Sequence, residues 1–286
     1  MTPEPHVPDT IPLAPPLDAA DLLRRRHRVP AAPPPGWNDV LATMLAHRSV
    51  RHFRPDPLPP GTLELLVTAA QSAPTSSNLQ LWSVVAVAEP ARKARLAQLA
   101  GQQAFIAQAP LLLVWLADLH RLETLAGARG AAVEGTQYLE EFVVGVVDAA
   151  LAAQNALTAA ESLGLGGVYV GAMRNLPEQV AAELALPPQV FAVFGMAIGW
   201  PDPAAGSDVK PRLPVEVVLH REQYRAAPDA EAIASYDTTL HGFQREQGMR
   251  EVDWTAQCIA RVKDVDALRG RDRLRAALTA LGFALR

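Results

Sequence analysis

The chain predicts a protein of mixed helices and strands, in the α/β or α+β class, on three observations. It has 286 residues, 49% hydrophobic and 20% charged, enough to bury a sizeable core in one large domain or two smaller ones. Short valine-rich runs alternate loosely with segments of helical spacing. Residues 140–163 form a long, mostly apolar stretch closed by Gly164, which predicts a helix buried on most sides, at the centre of a domain or a dimer. The order of elements alone does not choose between the two classes.

The first 36 residues carry 10 of the 25 prolines, so they read as an extended or poorly ordered extension. Within them, the basic run at residues 21–28 allows a short helix and reads as a solvated helix end. The globular domain is placed at 37–286, beginning with a helix over 37–46. Pro60-Gly61 opens a second helix over 62–72, and Pro74 stops it. Strands are expected at 83–88, 111–116, 168–170, 190–198 and 215–219, roughly five in all. Further helices are expected at 91–100 and 177–184, the latter with Pro177 in its first turn, and a helical region from about residue 229.

Composition excludes several classes. A net charge of −4 argues against non-specific nucleic-acid binding, which depends on phosphate neutralisation. The 140–163 stretch holds Asp148, Gln154, Asn155 and Glu161, so it reads as a buried helix and no membrane partner is expected. No apolar core of signal length is visible before residue 37. A single cysteine, Cys258, allows no internal disulfide and fits a reducing, cytoplasmic compartment. The seven histidines show no metal spacing, and no phosphate-binding loop or nucleophile elbow is present.

Four segments concentrate polar or small groups. His47-Arg48-Ser49-Val50-Arg51 offers cationic forks suited to a phosphate, with Arg48 and Arg51 on one face if the turn is helical. Pro74-Thr75-Ser76-Ser77-Asn78-Leu79-Gln80 supplies donors and acceptors of the kind that read a heterocycle's edge. Lys210-Pro211-Arg212 holds two cations on either side of a stiff proline. The glycine-rich stretch 164–172 lacks the spacing of a dinucleotide fingerprint and follows a helix, but its small residues would let backbone approach a flat ring. Taken singly, each segment also reads as ordinary structure: a helix end, a turn bonded to its own backbone, a charged surface loop, a helix cap.

Taken in order, these segments resemble the FMN-dependent nitroreductase family. His47-Arg48-Ser49-Val50-Arg51 is similar to its Arg-Ser-x-Arg segment, and 73–82 to its Pro-Ser-Ser-x-Asn-x-Gln-Pro-Trp segment. Residues 145–148 and 153–167 resemble its central helix and exit. Phe194-Gly195-Met196-Ala197-Ile198-Gly199-Trp200-Pro201 and Lys210-Pro211-Arg212-Leu213-Pro214 resemble the NADPH-preferring flavin reductase and oxygen-insensitive nitroreductase branch. The resemblance implies an α+β fold with a mixed central sheet flanked by helices, in an intertwined homodimer with FMN at the subunit interface. It implies two-electron transfer from NADPH or NADH to nitroaromatics, quinones or flavins in a ping-pong cycle. Flavin storage, or flavin destruction or dehalogenation on the same fold, stand as alternatives.

By position, the resemblance assigns His47, Arg48, Ser49 and Arg51 to the ribityl and phosphate end, and Lys210 and Arg212 to the same anionic end and the N1 side, where their charge would do electrostatic work. Thr75, Ser76, Ser77 and Asn78 would line the pocket, partly from the other subunit. Gln103 would meet the ring's polar edge, and Tyr169, Val170, Gly171 and Ala172 would lie along the ring. No side chain is assigned as a proton donor. Thr75 stands where serine is usual, and Leu81 where proline is usual. The branch's NADPH-phosphate arginine falls at Gln247, so Arg245 or Arg250 is expected to substitute.

Overall fold

A computed structural model describes residues 18–28, 32–227 and 229–286. In chain order the elements are α1 (Ala19–His27), α2 (Asp39–Ala46), α3 (Thr62–Gln71), β1 (Trp82–Val87), α4 (Pro90–Leu99), α5 (Ala104–Gln108), β2 (Leu111–Asp118), α6 (His120–Ala128), α7 (Leu139–Ser162), β3 (Gly166–Val170), α8 (Pro177–Glu183), β4 (Val190–Gly199), α9 (Val215–Val218), α10 (Ala230–Glu246), α11 (Trp254–Val262), α12 (Val265–Leu268) and α13 (Leu274–Ala280). Short 3-10 turns intervene, among them Ser76–Asn78 and Gly171–Arg174. The described residues fall into two compact units, one of residues 49–202 and 269–286, the other of residues 18–48 and 203–268.

The first unit is built on a four-stranded sheet of order β1-β2-β4-β3, with every ladder antiparallel. A parallel contact is confined to the isolated bridge between Ser49 and Gly167. Strand β2 is buried along its whole length, as its unbroken apolar run requires. Its side chains alternate between two cores. Leu111, Leu113, Trp115 and Ala117 face the α7 side, where Ala149, Ala152, Ala153, Ala156 and Ala160 present a smooth surface that lets the helix lie close to the sheet. Leu112, Val114 and Leu116 face the other way, onto Leu96, Ala97 and Val180 of α4 and α8. Glu89 caps α4 by accepting from the Ala91 and Arg92 amides, and Pro90 follows as a favourable first residue.

Gly166 and Gly167 show a close approach of another kind than a bound ring. A Cβ on Gly166 would stand 2.5 Å from Val50 Cγ2, and one on Gly167 would stand 2.7 Å from Leu157 Cδ1. The bare backbone admits the chain's own segment 49–50, and the Val50 amide donates to Gly167 O at 3.1 Å. Gly166→Ala is therefore expected to lower stability by about 2 kcal/mol, the cost of overpacking against a stiff β-branched neighbour. A urea midpoint equal to that of the parent would show that Val50 yields freely.

The second unit is helical: α1, α2, α9, α10, α11 and α12. Asn38 caps α2 by accepting from Leu41 N at 3.1 Å, and Asp229 caps α10 by accepting from Ala232 N at 2.9 Å. Two expectations are corrected here. Residues 215–219 were expected to be a strand; Val215–Val218 is a single helical turn after Pro214, because a valine-rich run forms a strand only beside a partner edge, and these valines pair with none. The strands number four among the described residues. The sequence places residues 1–36 in an extended or poorly ordered extension. Residues 1–17 and 29–31 lie outside the described residues; residues 19–27 form the short helix the sequence allowed, with Leu22 and Arg26 buried rather than solvated.

Candidate functional site

In the first unit, the polar loop between α3 and β1 is strained and firmly anchored. Ser77, Asn78 and Gln80 take φ of 48°, 56° and 52°, the left-handed region that side chains other than glycine adopt at a cost. The anchor is Asp148 of α7, to which the sequence reading gave no partner. Asp148 is 2% exposed. Oδ2 accepts from Thr75 Oγ1 at 2.6 Å and from Leu81 N at 2.9 Å. Thr75 Oγ1 in turn accepts from Gln80 N at 2.9 Å. The loop is thus closed on itself and bolted to the helix, with Ser76, Ser77 and Asn78 left at the surface. Arg121 holds the loop's exit through the carbonyls of Gln80 and Trp82.

Beside this loop lies an open cleft of about 370 Å³, lined by Pro74, Thr75, Ser76 and Asp148 and by Val143, Val144, Val147 and Leu151 of α7. Exposed apolar side chains recur along α7 at every fourth residue, Leu139, Val143, Val147 and Leu151, so they share one face. The helix is long and apolar enough to span a membrane by length and composition, yet its alanine face is packed on the sheet.

Tyr169, Val170, Gly171 and Ala172 run from the end of β3 into a 3-10 turn. Tyr169 stacks edge-on against Phe194 at 5.1 Å, and its hydroxyl donates to Gln154 Oε1 of α7 at 3.4 Å. Desolvation, then the charge of Glu161, raise the phenol's pKa, so it stays a neutral donor. Asp148 and Gln154 are six residues apart, about 9 Å along one helix, so α7 carries both the loop and the end of β3. Ser49 is bridged to Gly167 at the other end of that strand, and Arg51 is exposed just beyond it. Gln103 stands just before α5, with its amide donating to Ala100 O at 2.7 Å rather than capping the helix.

Arg48 and Arg51 do not share a helical face. Helix α2 ends at Ala46, and His47 already has an extended ψ of 130°, so the segment runs out toward the Ser49 bridge. In the second unit, Arg48 Nε instead donates to Ser207 Oγ at 3.0 Å. Val209 and Pro211 are buried while Lys210 and Arg212 are exposed, so the alternation of an extended chain puts both cations on one side. The Tyr236 hydroxyl fixes Pro211 O at 2.9 Å.

What joins these two cationic segments is Arg26. Its Nη1 donates to Lys210 O at 2.9 Å, and its Nη2 donates to Leu45 O and His47 O, both at 2.8 Å. Sequence reasoning placed Arg26 in a solvated run. The signal that could have found it is spacing: Leu22 and Arg26, four apart, lie on the buried face of α1.

Of the two arginines near residue 247, Arg245 pairs with Glu251 at 2.7 Å. Arg250 is exposed and forms no ion pair among the described residues. The 247–252 loop that carries it is closed by the buried Gln244, whose amide bonds both N and O of Val252 at 2.9 and 3.0 Å.

The second unit thus offers two cationic segments suited to an anion, and the first a strained, anchored loop rich in hydroxyl and amide groups. The "Nitroreductase family" model matches residues 44–200, and "Nitroreductase family, C-terminal domain" matches residues 210–286. The chain belongs to the nitroreductase family. It is 42% identical over 211 residues to the oxygen-insensitive NADPH nitroreductase of Salmonella typhimurium, covering 73% of this chain and 84% of that one. It is 38% identical over 227 residues to a Bacillus subtilis FMN reductase (NADPH), covering 78% and 90%. Among solved structures, the NADPH:FMN oxidoreductase of Vibrio harveyi, complexed with NAD+, superposes with a TM-score of 0.78 at 35% identity, over 87% of this chain and 100% of its own. Nitroreductase A from Vibrio parahaemolyticus gives 0.80 at 34% identity, over 88% and 100%.

Proposed function

We propose that the chain binds FMN and uses it to pass two electrons from NADPH or NADH to nitroaromatics, quinones or free flavins. The observation that carries this reading is the convergence on Arg26 of two cationic segments, 21 and 184 residues away in sequence. It holds the backbones of two basic segments together, the kind of charge that a phosphate takes. His47, Arg48, Ser49 and Arg51 take the phosphate and ribityl end, together with Lys210 and Arg212. Thr75, Ser76, Ser77, Asn78 and Gln103 take polar groups of the ring system, and Tyr169, Val170, Gly171 and Ala172 lie along it. The donor set fits the group: forked cations for a dianion, hydroxyls and amides for a heterocycle's edge.

When bound, FMN supplies the hydride chemistry that no side chain can. The chain's residues orient it and set the local charge. Lys210 and Arg212 add positive potential where negative charge develops on reduction. The anchored loop keeps Thr75 to Asn78 in place without reorganisation, and water protonates the product. Two copies assemble through α7, whose exposed Leu139, Val143, Val147 and Leu151 form a stripe that a second copy covers. A cytoplasmic location agrees with the single, exposed Cys258.

The test is a spectrum of the purified protein, followed by NADPH consumption with and without a quinone. Flavin absorbance and consumption accelerated by the acceptor are expected. A flavin-free protein that stays colourless with added FMN overturns the reading. Yellow protein whose NADPH consumption ignores the acceptor points to storage.

Arg250 is the residue assigned to the NADPH 2′-phosphate, since Arg245 is engaged by Glu251. Arg250→Ala should raise KM for NADPH about tenfold and leave KM for NADH unchanged, as expected for one lost charge-assisted contact. An equal rise for both nicotinamides would remove Arg250 from that role.

A further inference from the structure

We propose that helix α1 is a brace for the cofactor's phosphate site, with Arg26 as its positioning residue. The proposal rests on the assignment of His47, Arg48, Lys210 and Arg212 to the FMN phosphate. The family match begins at residue 44, so α1 lies before the matched region. The two Vibrio structures are covered completely while 12–13% of this chain is left over.

One helical turn of α1 touches both the segment ending α2 and the segment around Lys210. Arg26 donates to the carbonyls of Leu45 and His47 on one segment and of Lys210 on the other. The Arg26 carbonyl accepts from Arg212 N at 3.1 Å. Arg25 pairs with Asp208 at 3.1 Å, and the same Asp208 oxygen accepts from Val209 N at 2.7 Å. Leu22, fully buried one turn earlier, seats the helix.

The choice of residue is telling. Packing alone would be served as well by an apolar side chain, since burying a cation is costly unless its hydrogen bonds are met. Only arginine has a planar fork of donors that can grip carbonyls from two segments at once; the three donors of lysine diverge from a single atom. Two basic segments held apart from each other would repel and drift. Arg26 fixes both backbones before any anion arrives, so less ordering is left to be done on binding.

The test is titration of the flavin-free, full-length protein with FMN and with riboflavin, which lacks the phosphate, for the parent, Arg26→Lys and Arg25→Ala. The readout is the ratio of the two dissociation constants, in which a general loss of fold cancels. Arg26→Lys is expected to weaken FMN about tenfold, or about 1.4 kcal/mol, with riboflavin changed by less than about twofold. Arg25→Ala, at a half-exposed position that tolerates truncation, should move the ratio the same way by about threefold, and it decides the matter if Arg26→Lys does not fold. If both ligands weaken equally, or neither changes, α1 only supports the fold and the proposal is overturned. A parent protein that binds neither flavin overturns the phosphate-site assignment itself, and the brace with it.

Discussion

Asp148→Ala is expected to destabilise the protein by about 3 kcal/mol, because hydrogen bonds to a charged group contribute about 1.5–3 kcal/mol each and truncation leaves buried donors unmet. Two such bonds converge on one Asp148 oxygen, from the Thr75 hydroxyl and the Leu81 amide. Leu81 is 1% exposed, so its amide has no water to turn to. The loss shows as a fall in Tm of about 6–12 °C, at 2–4 °C per kcal/mol for a domain of this size. Beyond stability, the loop is freed. Ser77, Asn78 and Gln80 hold positive φ only while the surroundings over-determine them, so they relax toward extended backbone. Flavin affinity then falls together with Tm. Thr75→Val removes one of the two bonds and also the acceptor of Gln80 N, and should cost about 2 kcal/mol. Combining it with Asp148→Ala should add only the part owed to Gln80 N, about 1 kcal/mol, because the Thr75–Asp148 bond is lost in either single variant. A double variant that loses the full sum would show that Thr75 and Asp148 act separately.

Much of the fold was legible because its signals are local. Pro60-Gly61 and Pro74 bracket α3, the unbroken run at 111–116 is the central strand, and the apolar stretch closed by Gly164 is α7. Family membership was legible for a related reason: the motifs are short, contiguous and in order. What sequence reasoning missed depends on residues far apart. Asp148 meets its loop across 67 and 73 residues, and Arg26 reaches Lys210 across 184. In each case a charged residue in isolation looked like a solvated or tolerated one. The Val215–Val218 error had a different cause, since alternation describes a surface and a strand also needs an edge to pair with. The helical face drawn through Arg48 and Arg51 failed because α2 stops at Ala46, with no glycine or proline in its last turn to announce it. The small residues of 164–172 were read as letting backbone approach a flat ring; at Gly166 and Gly167 it is the chain's own Val50 and Leu157 that come close, which was beyond local reading.

Lys210→Ala is expected to weaken FMN binding about 10–100-fold, the equivalent of about 1.4–3 kcal/mol for one charge-assisted contact to phosphate. It should also slow reduction by NADPH at saturating FMN, because a positive charge held near developing negative charge stabilises the product of the step more than its start. The buried Val209 and Pro211 on either side hold the backbone when the side chain is cut. Arg212→Ala makes the informative contrast. Its Nη1 already donates to Lys210 O at 3.1 Å, so truncation loosens the loop as well as removing a cation. Arg212→Ala should therefore lower Tm and affinity together, while Lys210→Ala lowers affinity by more than its effect on Tm accounts for. Titration, a thermal melt and stopped-flow reduction on the two variants separate these outcomes. Unchanged flavin content and an unchanged reduction rate in Lys210→Ala would take the Lys210 loop out of the cofactor site.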